Sequence, residues 1–286
     1  MLENYRTLTI NGIELDFHKE TFVMGILNVT PDSFSDGGEY NSVEKAVAQA
    51  KKMVADGAKI IDVGGESTRP GYTRISDEDE IARVVPVIEA LINEVPAIIS
   101  IDTYKSNVAR AAIEAGAHMI NDIWGAKADP QMAQVAAELN VPIILMHNRE
   151  MDTYADYFVD FLQDMNESID IVKAAGVPDE HIMLDPGIGF VKNLAQSIET
   201  MQRLEELVAL GYPVLLATSR KRMIGAVLDL PVDERVEGTA ATCAFGVQKG
   251  CHMMRVHDVK EIARTVKMMD ALVGKFDVQG ELAPRH

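Results

Sequence analysis

Short apolar runs alternate with amphipathic stretches along most of this chain. Each run has the length and composition of a buried strand, and each is followed by apolar residues that recur with the helical period. A regular alternation of strand and helix predicts a parallel β-sheet with helices packed on its outer face. The eight runs are residues 22–27, 59–63, 97–101, 118–121, 142–146, 181–185, 213–217 and 252–256.

The amphipathic stretches predict a helix after every strand. Five of these helices are expected to end at a glycine, since the left-handed residue that closes a helix is usually glycine. These glycines are Gly57, Gly116, Gly176, Gly211 and Gly250. The predicted helices lie near residues 42–56, 77–93, 105–115, 130–139, 153–175, 194–210, 233–249 and 258–274, with a short extra helix near 220–228.

Eight strand–helix units predict an α/β fold, a (β/α)8 TIM barrel, in one domain spanning residues 1–286. The alternative is an open doubly wound sheet, which usually has fewer units and a glycine-rich dinucleotide turn that we do not find. Asn11-Gly12 lies in an alternating segment and predicts an N-terminal β-hairpin over about residues 5–17, which caps the barrel bottom. The barrel itself should cover about residues 22–275, followed by a tail at 276–286.

Charge and composition narrow the classes of function. The chain has 286 residues and a net charge of −17, which argues against nonspecific nucleic-acid binding. Any phosphate site must therefore be a local concentration of donors and cations. The two cysteines, Cys243 and Cys251, lack metal-ligand spacing and are expected to be buried free thiols, as in a reducing cytoplasm. We find no apolar signal core and no run long enough to span a membrane.

Polar residues close all eight predicted strands. In a (β/α)8 barrel the active site is built at the carboxyl ends of the strands, so this edge is the expected location of the chemistry. Strand ends also meet solvent, and one or two polar residues there would carry no information. Eight polar ends indicate a functional mouth. They are Asn28, Glu66-Ser67-Thr68-Arg69, Asp102, Asn121, His147, Asp185, Ser219-Arg220-Lys221 and Arg255-Val256-His257.

Two of these ends are typical of anion binding. Arg255 and His257 are two residues apart and therefore share one face of the last strand. Three basic residues open the short helix that Ser219 can cap, where free backbone N–H groups attract anions. A solvated basic turn is the alternative explanation for that segment.

Acidic residues close two apolar runs, which places them partly inside the protein. Asp102 and Asp185 must then be paired or hydrogen-bonded, either by a structural partner or by the N–H groups of a substrate. Together with Asn121 they are suited to hold a planar heterocycle rich in hydrogen-bond donors.

The same residues lie in segments that resemble the signatures of the dihydropteroate synthases. MGILNVTPDSFSDGG (24–38) and GGESTRPG (64–71) resemble the two long signatures of that family. Five shorter segments then follow in the family's order, and the resemblance covers about residues 5–275. These segments are SIDT (100–103), INDIWG (120–125), LDPGIGF (184–190), TSRK (218–221) and RVHD (255–258).

The resemblance implies an enzyme that joins a dihydropterin-methyl diphosphate to 4-aminobenzoate with loss of diphosphate, a step of folate biosynthesis in a sulfonamide target family. It also implies a cytoplasmic homodimer formed through the outer helices, and Mg²⁺ bound to the substrate diphosphate. Mg²⁺ prefers oxygen ligands and keeps several waters, so one protein ligand is reasonable. In the first loop, Asp36 lies in a segment that in this family closes over the reacting centre.

The site residues implied by the resemblance fall into four groups. Asn28 resembles the Mg²⁺ ligand. The residues that resemble those holding the diphosphate are Thr68, Arg69, Arg255 and His257, and Val256 lies between the last two. Asp102, Asn121, Asp185 and Lys221 resemble the residues that grip the pterin. Pro70 and Phe190, with Lys221 nearby, resemble the 4-aminobenzoate pocket, and the residues expected in catalysis are Lys221, Arg255, His257, Asp102 and Asp185.

One position departs from the family. Arg222 stands where the family often has a serine that helps to hold the aminobenzoate carboxylate. An arginine can pair with the carboxylate, or it can leave that contact to its backbone N–H.

Two other functions are compatible with a pterin-binding barrel. A methyltransferase that uses methyltetrahydrofolate and a corrinoid partner would share the Asp and Asn clamps, but it would not need the SFSDGG loop or the basic groups of TSRK and RVHD. A noncatalytic paralogue would be expected to have lost Asn28, Lys221 or His257, all of which are present.

Overall fold

The computed structural model describes residues 7–30, 39–66 and 74–277, in which a two-stranded hairpin is followed by eight strands and ten α-helices, with at least one helix after each strand. The strands are β1 (Thr7–Ile10), β2 (Ile13–Asp16), β3 (Phe22–Asn28), β4 (Ile60–Gly64), β5 (Ile98–Asp102), β6 (Met119–Asp122), β7 (Ile143–Met146), β8 (Ile182–Asp185), β9 (Leu215–Leu216) and β10 (Met253–Val256). The helices are α1 (Glu39–Ala55), α2 (Asp77–Glu94), α3 (Ser106–Glu114), α4 (Met132–Glu138), α5 (Tyr157–Ala175), α6 (Leu194–Gln202), α7 (Leu204–Val208), α8 (Arg222–Leu228), α9 (Val236–Gln248) and α10 (Val259–Leu272).

Eight parallel strands form the barrel predicted from the sequence. Their order is β8-β7-β6-β5-β4-β3-β10-β9, and a parallel bridge between Leu184 and Val214 joins the two ends of the sheet. The (β/α)8 fold is therefore confirmed. The sheet has no free edge between β8 and β9, so all eight carboxyl ends meet at one mouth.

The hairpin β1–β2 closes the opposite end. Asn11 and Gly12 have φ values of 49° and 72°, as a tight two-residue turn between antiparallel strands requires. Leu8, Ile10 and Leu15 pack in one cluster with inward side chains from the amino-terminal halves of the barrel strands. The hairpin thus seals the barrel bottom with apolar side chains, as the sequence predicts.

Side-chain alternation along the strands places the polar residues inside the mouth. In β5, Ile98 belongs to the cluster inside the barrel, while Ile99 and Ile101 belong to the cluster beneath the helices. Because successive side chains point to opposite faces, Ser100 and Asp102 point into the barrel above Ile98. The same alternation turns five further residues inward, each above an apolar residue of the inner cluster. They are Asp62, Asn121, Met146, Asp185 and Arg255.

The predicted helices are confirmed with two differences at their boundaries. The helix expected over 153–175 begins only at Tyr157, after Asp156, whose side chain accepts a hydrogen bond from the backbone N–H of Val159. The helix expected over 194–210 is two helices, interrupted at Arg203, whose φ and ψ of −109° and 19° are not helical. The five glycines expected to close helices all have φ between 91° and 115°. Among the described residues, no helix is long and apolar enough to cross a membrane.

Candidate active site

A buried charge cluster occupies one side of the barrel mouth. The Arg255 guanidinium bridges two carboxylates, with Nε 2.6 Å from Asp62 Oδ2 and Nη2 2.5 Å from Asp102 Oδ2. Asn121 Nδ2 also donates to Asp62 Oδ2, at 2.9 Å. Strands β10, β4, β5 and β6 each contribute one member. The arginine is therefore fixed at two of its nitrogens before any ligand arrives.

The cluster holds more negative than positive charge. Burial, reinforced by the charge of Asp62 and opposed by that of Arg255, raises the pKa of Asp102 to about 7. Oδ1 of Asp102 and Oδ1 of Asp62 have no hydrogen-bond partner among the residues that the structure describes. Buried carboxylate oxygens without partners are costly, so these two atoms are ready acceptors for donors on a ligand.

A second group lies at the ends of β8 and β9. Asp185 Oδ1 accepts a hydrogen bond of 2.7 Å from the backbone N–H of Gly187, and burial raises the pKa of Asp185 against the opposing charge of Lys221. Lys221 precedes α8, and its ammonium donates to the carbonyl of Ile188. Burial, opposed by the charge of Asp185, lowers the pKa of Lys221 to about 8. The pair therefore offers a ligand both an acceptor and a cation.

An apolar shelf adjoins Lys221. Phe190 packs against the cluster of Tyr104, Ile123 and Met146, and the Lys221 ammonium lies 4.8 Å from the centre of the Phe190 ring. A cation over an aromatic face is favourable and fixes both groups. An aromatic ring that carries a carboxylate has the complementary shape and charge for this place.

His257 is oriented by a serine at the end of the neighbouring strand. Ser219 Oγ accepts from the backbone N–H of His257 at 3.1 Å and lies 2.9 Å from its Nδ1. Either the hydroxyl or the imidazole Nδ1 donates in this contact, according to the tautomer of the histidine, and both contacts fix the orientation of the ring. Arg220 holds the same segment through two contacts to Asp258, of 2.9 and 2.5 Å.

Asn28 closes β3 beside the charge cluster. A Cβ atom added to Gly64 would lie 3.7 Å from Asn28 Oδ1 and 3.6 Å from Asp102 Oδ2, so both oxygens lie close to the bare glycine. No set of three or more His, Cys, Asp or Glu side chains able to hold a metal occurs within residues 7–30, 39–66 and 74–277. The amide oxygen of Asn28, which lies close to carboxylates, is a suitable ligand for Mg²⁺. Such an ion would arrive with an anionic substrate and keep most of its water ligands.

Most of the site residues expected from the sequence line this mouth. Asp102, Asn121 and Arg255 meet in the charge cluster, and Asp185, Phe190 and Lys221 meet in the second group. His147 instead turns away, towards Asp164 of α5. The side chain of Val256 lies in the core beneath the helices, so only its backbone faces the neighbouring strands. Four expected residues lie outside the described residues: Asp36, Thr68, Arg69 and Pro70.

Sequence reasoning missed Asp62, the residue that joins Arg255 to Asn121. Its fully buried carboxylate lies inside the apolar run of β4, whereas the search for site residues considered only those at strand ends. The sequence did contain a signal for Asp62, which is a single carboxylate within an apolar strand. A buried charge needs partners, so such a residue points to an ion pair or a ligand. Ser100, its register partner on β5, was missed for the same reason.

The comparisons with known proteins agree with this geometry. The family profile described as pterin binding enzyme matches residues 24–257. The dihydropteroate synthase of Bacillus subtilis (strain 168) is 59% identical over 264 residues, covering 92% of this chain and 93% of that protein. A Clostridium difficile dihydropteroate synthase solved in the presence of pteroic acid superposes with a TM-score of 0.88 at 47% identity, covering 90% of this chain and 98% of that one. A Xanthomonas albilineans dihydropteroate synthase solved with 4-aminobenzoic acid superposes with a TM-score of 0.89 at 38% identity. The match covers 95% of this chain and 99% of that one.

The barrel and its polar mouth therefore place this chain among the pterin-binding enzymes. Within them, the identity to curated relatives over nearly the whole chain shows that it belongs to the dihydropteroate synthases, which are transferases of folate biosynthesis.

Proposed function

We propose that this chain condenses (7,8-dihydropterin-6-yl)methyl diphosphate with 4-aminobenzoate to give 7,8-dihydropteroate and diphosphate. The observation that carries the proposal is the juxtaposition of two groups in one mouth. Buried acceptors and an arginine lie on β4, β5, β6 and β10, and the Asp185–Lys221–Phe190 group lies beside β8 and β9. The first group, together with Asp185, suits a donor-rich ring with an anionic leaving group, and Lys221 with Phe190 suits an aromatic carboxylate.

The pterin is held by the buried polar atoms. A pterin ring carries several N–H donors, which match the unpartnered Oδ1 of Asp102 and the carboxylate of Asp185. Asn121, fixed by Asp62, adds an amide oxygen that can accept a further hydrogen bond. Since each of these groups is buried, a ring without matching donors would leave their acceptors unsatisfied, which gives selectivity for the pterin.

The leaving diphosphate is held by cations and donors at the rim. Arg255 lies in the mouth and His257 directly follows β10, and Thr68 and Arg69 are proposed to join these two residues at the diphosphate. Asn28 is the proposed oxygen ligand of Mg²⁺, which when bound neutralises charge on the diphosphate and so makes it a better leaving group. The guanidinium is already fixed, so it stabilises the growing charge without reorganisation.

The reaction requires one bond to break and one to form at the pterin methylene carbon. The C–O bond breaks with its electron pair going to diphosphate, the amine nitrogen then forms the C–N bond, and that nitrogen loses a proton. Positive charge grows on the pterin as diphosphate leaves, and the carboxylates of Asp102 and Asp185 stabilise it when ionised. Exclusion of water from the mouth protects this electrophilic carbon from hydrolysis.

The 4-aminobenzoate is proposed to lie on the Phe190 shelf with its carboxylate near Lys221 and the start of α8. Pro70 is proposed as the opposite wall. Arg222 is the first residue of α8 and its side chain is exposed. Its backbone N–H, at the N-terminus of this helix, is therefore the contact that we assign to the carboxylate.

Mass spectrometry of the reaction mixture tests the proposal. Incubation with both substrates and Mg²⁺ is expected to give dihydropteroate, and Arg255→Met and Lys221→Met should abolish its formation. Lys173→Met, which removes a surface contact of 2.7 Å to Asp179, is the matched control and should retain it. Tight pterin binding with no dihydropteroate would instead favour a methyltransferase or a noncatalytic binding barrel.

We also propose a homodimer formed through the outer helices. Met268 and Leu272 lie one turn apart on α10 and are 58% and 66% exposed, which supports an apolar contact there. Light scattering should give twice the chain mass, and Leu272→Glu should shift it towards the mass of one chain.

A cytoplasmic location completes the proposal. Cys243 and Cys251 are buried free thiols, and burial raises the pKa of Cys243 to about 12. A reducing compartment preserves such thiols without a disulfide.

A further inference from the structure

Lys192 is a buried lysine that the proposed chemistry does not use. It follows β8 by seven residues, and its side chain is buried between β7 and the segment 186–193. Its Nζ lies 2.7 Å from His147 Nδ1, 3.1 Å from the carbonyl oxygen of Gly187 and 3.2 Å from that of Phe190. Three acceptors therefore surround the Lys192 nitrogen, one for each proton of an ammonium, while burial lowers the pKa of this lysine well below its usual 10.5.

His147 links this lysine to a carboxylate on α5. The imidazole Nε2 lies 3.0 Å from Asp164 Oδ2, while Nδ1 faces Lys192. Because Nδ1 accepts from the lysine, the ring proton must be on Nε2, where it is donated to Asp164. Asp164 is in turn held by Arg149, whose Nε lies 3.0 Å away. The position of the Lys192 nitrogen is therefore fixed by a chain of contacts that begins at Asp164 on α5 and passes through His147.

The segment after β8 cannot hold its conformation by local preferences. Val191 has φ of 42°, a left-handed value that a β-branched residue rarely adopts. Gly187 has φ of 63°, and a Cβ there would lie 2.2 Å from the His147 carbonyl oxygen. Lys192 holds the carbonyls of Gly187 and Phe190, and the Tyr154 hydroxyl donates to the carbonyl of Val191 at 2.9 Å. Hydrogen bonds from Lys192, itself held by His147, and from Tyr154 thus maintain the strained turn together with its own backbone bond from Phe190 N–H to the Gly187 carbonyl.

This turn presents Phe190 to the mouth. Lys221 donates to the carbonyl of Ile188 from the mouth side, while Lys192 holds the carbonyls of Gly187 and Phe190 from the other side. The centre of the Phe190 ring lies 4.8 Å from the Lys221 ammonium. A shift of the turn would therefore move the ring and the mouth-facing lysine together.

We propose that Lys192, held by His147 and Asp164, is a positioning residue that determines where the Phe190 shelf lies in the 4-aminobenzoate pocket. The inference rests on the proposed function, since it assigns the support of that pocket. Lys192 touches neither substrate. Its effect is on the binding of 4-aminobenzoate and not on that of the pterin, because the acceptors for the pterin lie on β4, β5, β6 and the end of β8.

Steady-state kinetics of Lys192→Met test the proposal. The KM for 4-aminobenzoate should rise about tenfold, since a small displacement of a binding wall is costly. The KM for the pterin diphosphate should rise by less than about threefold, because Asp102 and Asn121 are held by contacts outside this turn. Lys173→Met is again the control for loss of a lysine. Circular dichroism and thermal unfolding establish that the variant is folded.

Tyr154→Phe decides the question if Lys192→Met does not fold. It removes one hydroxyl from the same turn, and the KM for 4-aminobenzoate should rise about threefold with the pterin KM unchanged. An unchanged aminobenzoate KM in folded Lys192→Met, or in Tyr154→Phe where the lysine variant does not fold, overturns the inference. So does an equal rise for both substrates. A wild-type protein that forms no dihydropteroate shows that the proposed function has failed, and the inference fails with it.

Discussion

Arg255 and Asp62 form an ion pair inside the barrel, with Arg255 Nε 2.6 Å from Asp62 Oδ2 and the carboxylate fully buried. The two residues come from β10 and β4, which are both neighbours of β3 in the sheet. The same Asp62 oxygen accepts from Asn121. Asp62 therefore fixes one residue proposed to hold the diphosphate and one proposed to hold the pterin.

The variant Asp62→Asn tests this positioning role. It keeps the shape but removes the charge that holds Arg255, so kcat/KM for the pterin diphosphate should fall about tenfold. The free energy of unfolding should fall by about 3 kcal/mol, because a buried pair loses one charge. Steady-state kinetics and urea unfolding give the two values.

Asp56→Asn is the control for that variant. Asp56 pairs with Lys52 on the surface at 2.5 Å, and such pairs contribute little to stability. Wild-type kinetics in Asp62→Asn would show that Arg255 does not depend on Asp62.

The variant Asp185→Asn should lose pterin affinity. The amide retains one acceptor but adds a donor where the pterin presents donors, and binding should weaken at least about tenfold. Mg²⁺ binding with the diphosphate should change much less, because Asn28 is the proposed ligand. Titration calorimetry measures both affinities, and unchanged pterin affinity would refute the role of Asp185.

The activity should decline on the alkaline side through the titration of Lys221. Burial lowers the pKa of this lysine to about 8, so above that pH the ammonium is lost and the carboxylate of 4-aminobenzoate loses its cation. The value of kcat/KM for 4-aminobenzoate, which reports groups of the free enzyme, should fall above pH 8. Lys221→Arg should remove this decline, since arginine stays protonated. An identical alkaline decline in the variant would assign it to another group.

The stability should fall in mild acid because of His147. Burial lowers its pKa from 6.5 to about 4, so the unfolded chain binds the proton more tightly than the folded protein. The contribution is fully present above pH 6.5 and is lost as the pH falls towards 4, with a limit of about 3 kcal/mol. Urea unfolding across this range measures it. His147→Gln, whose amide does not titrate, should show a shallower loss, and an equal slope would contradict the assignment.

The sequence predicted the barrel and much of its mouth because both depend on local patterns. Strand alternation turns the last residues of β5 and β8 and the residue before the last of β6 inward, so Asp102, Asn121 and Asp185 could be named from position along the strands. The resemblance to the dihydropteroate synthases then supplied roles that no pattern contains.

Contacts between distant parts of the chain could not be predicted in this way. Asp62 lies 193 residues from Arg255, and Lys192 lies 45 residues from His147. Neither side chain stands at a strand end, and each is defined by partners that only the folded barrel brings together. The break at Arg203 is similar, since its side chain contacts Glu199 and Glu206 and lies 3.7 Å from the centre of the Phe158 ring.

The most direct test of the central claim is a parallel measurement of diphosphate and dihydropteroate formed by the purified protein. We predict that both appear in equal amounts, and only when the pterin diphosphate, 4-aminobenzoate and Mg²⁺ are all present. Diphosphate release without 4-aminobenzoate at the same rate, or no release despite tight pterin binding, would contradict the account.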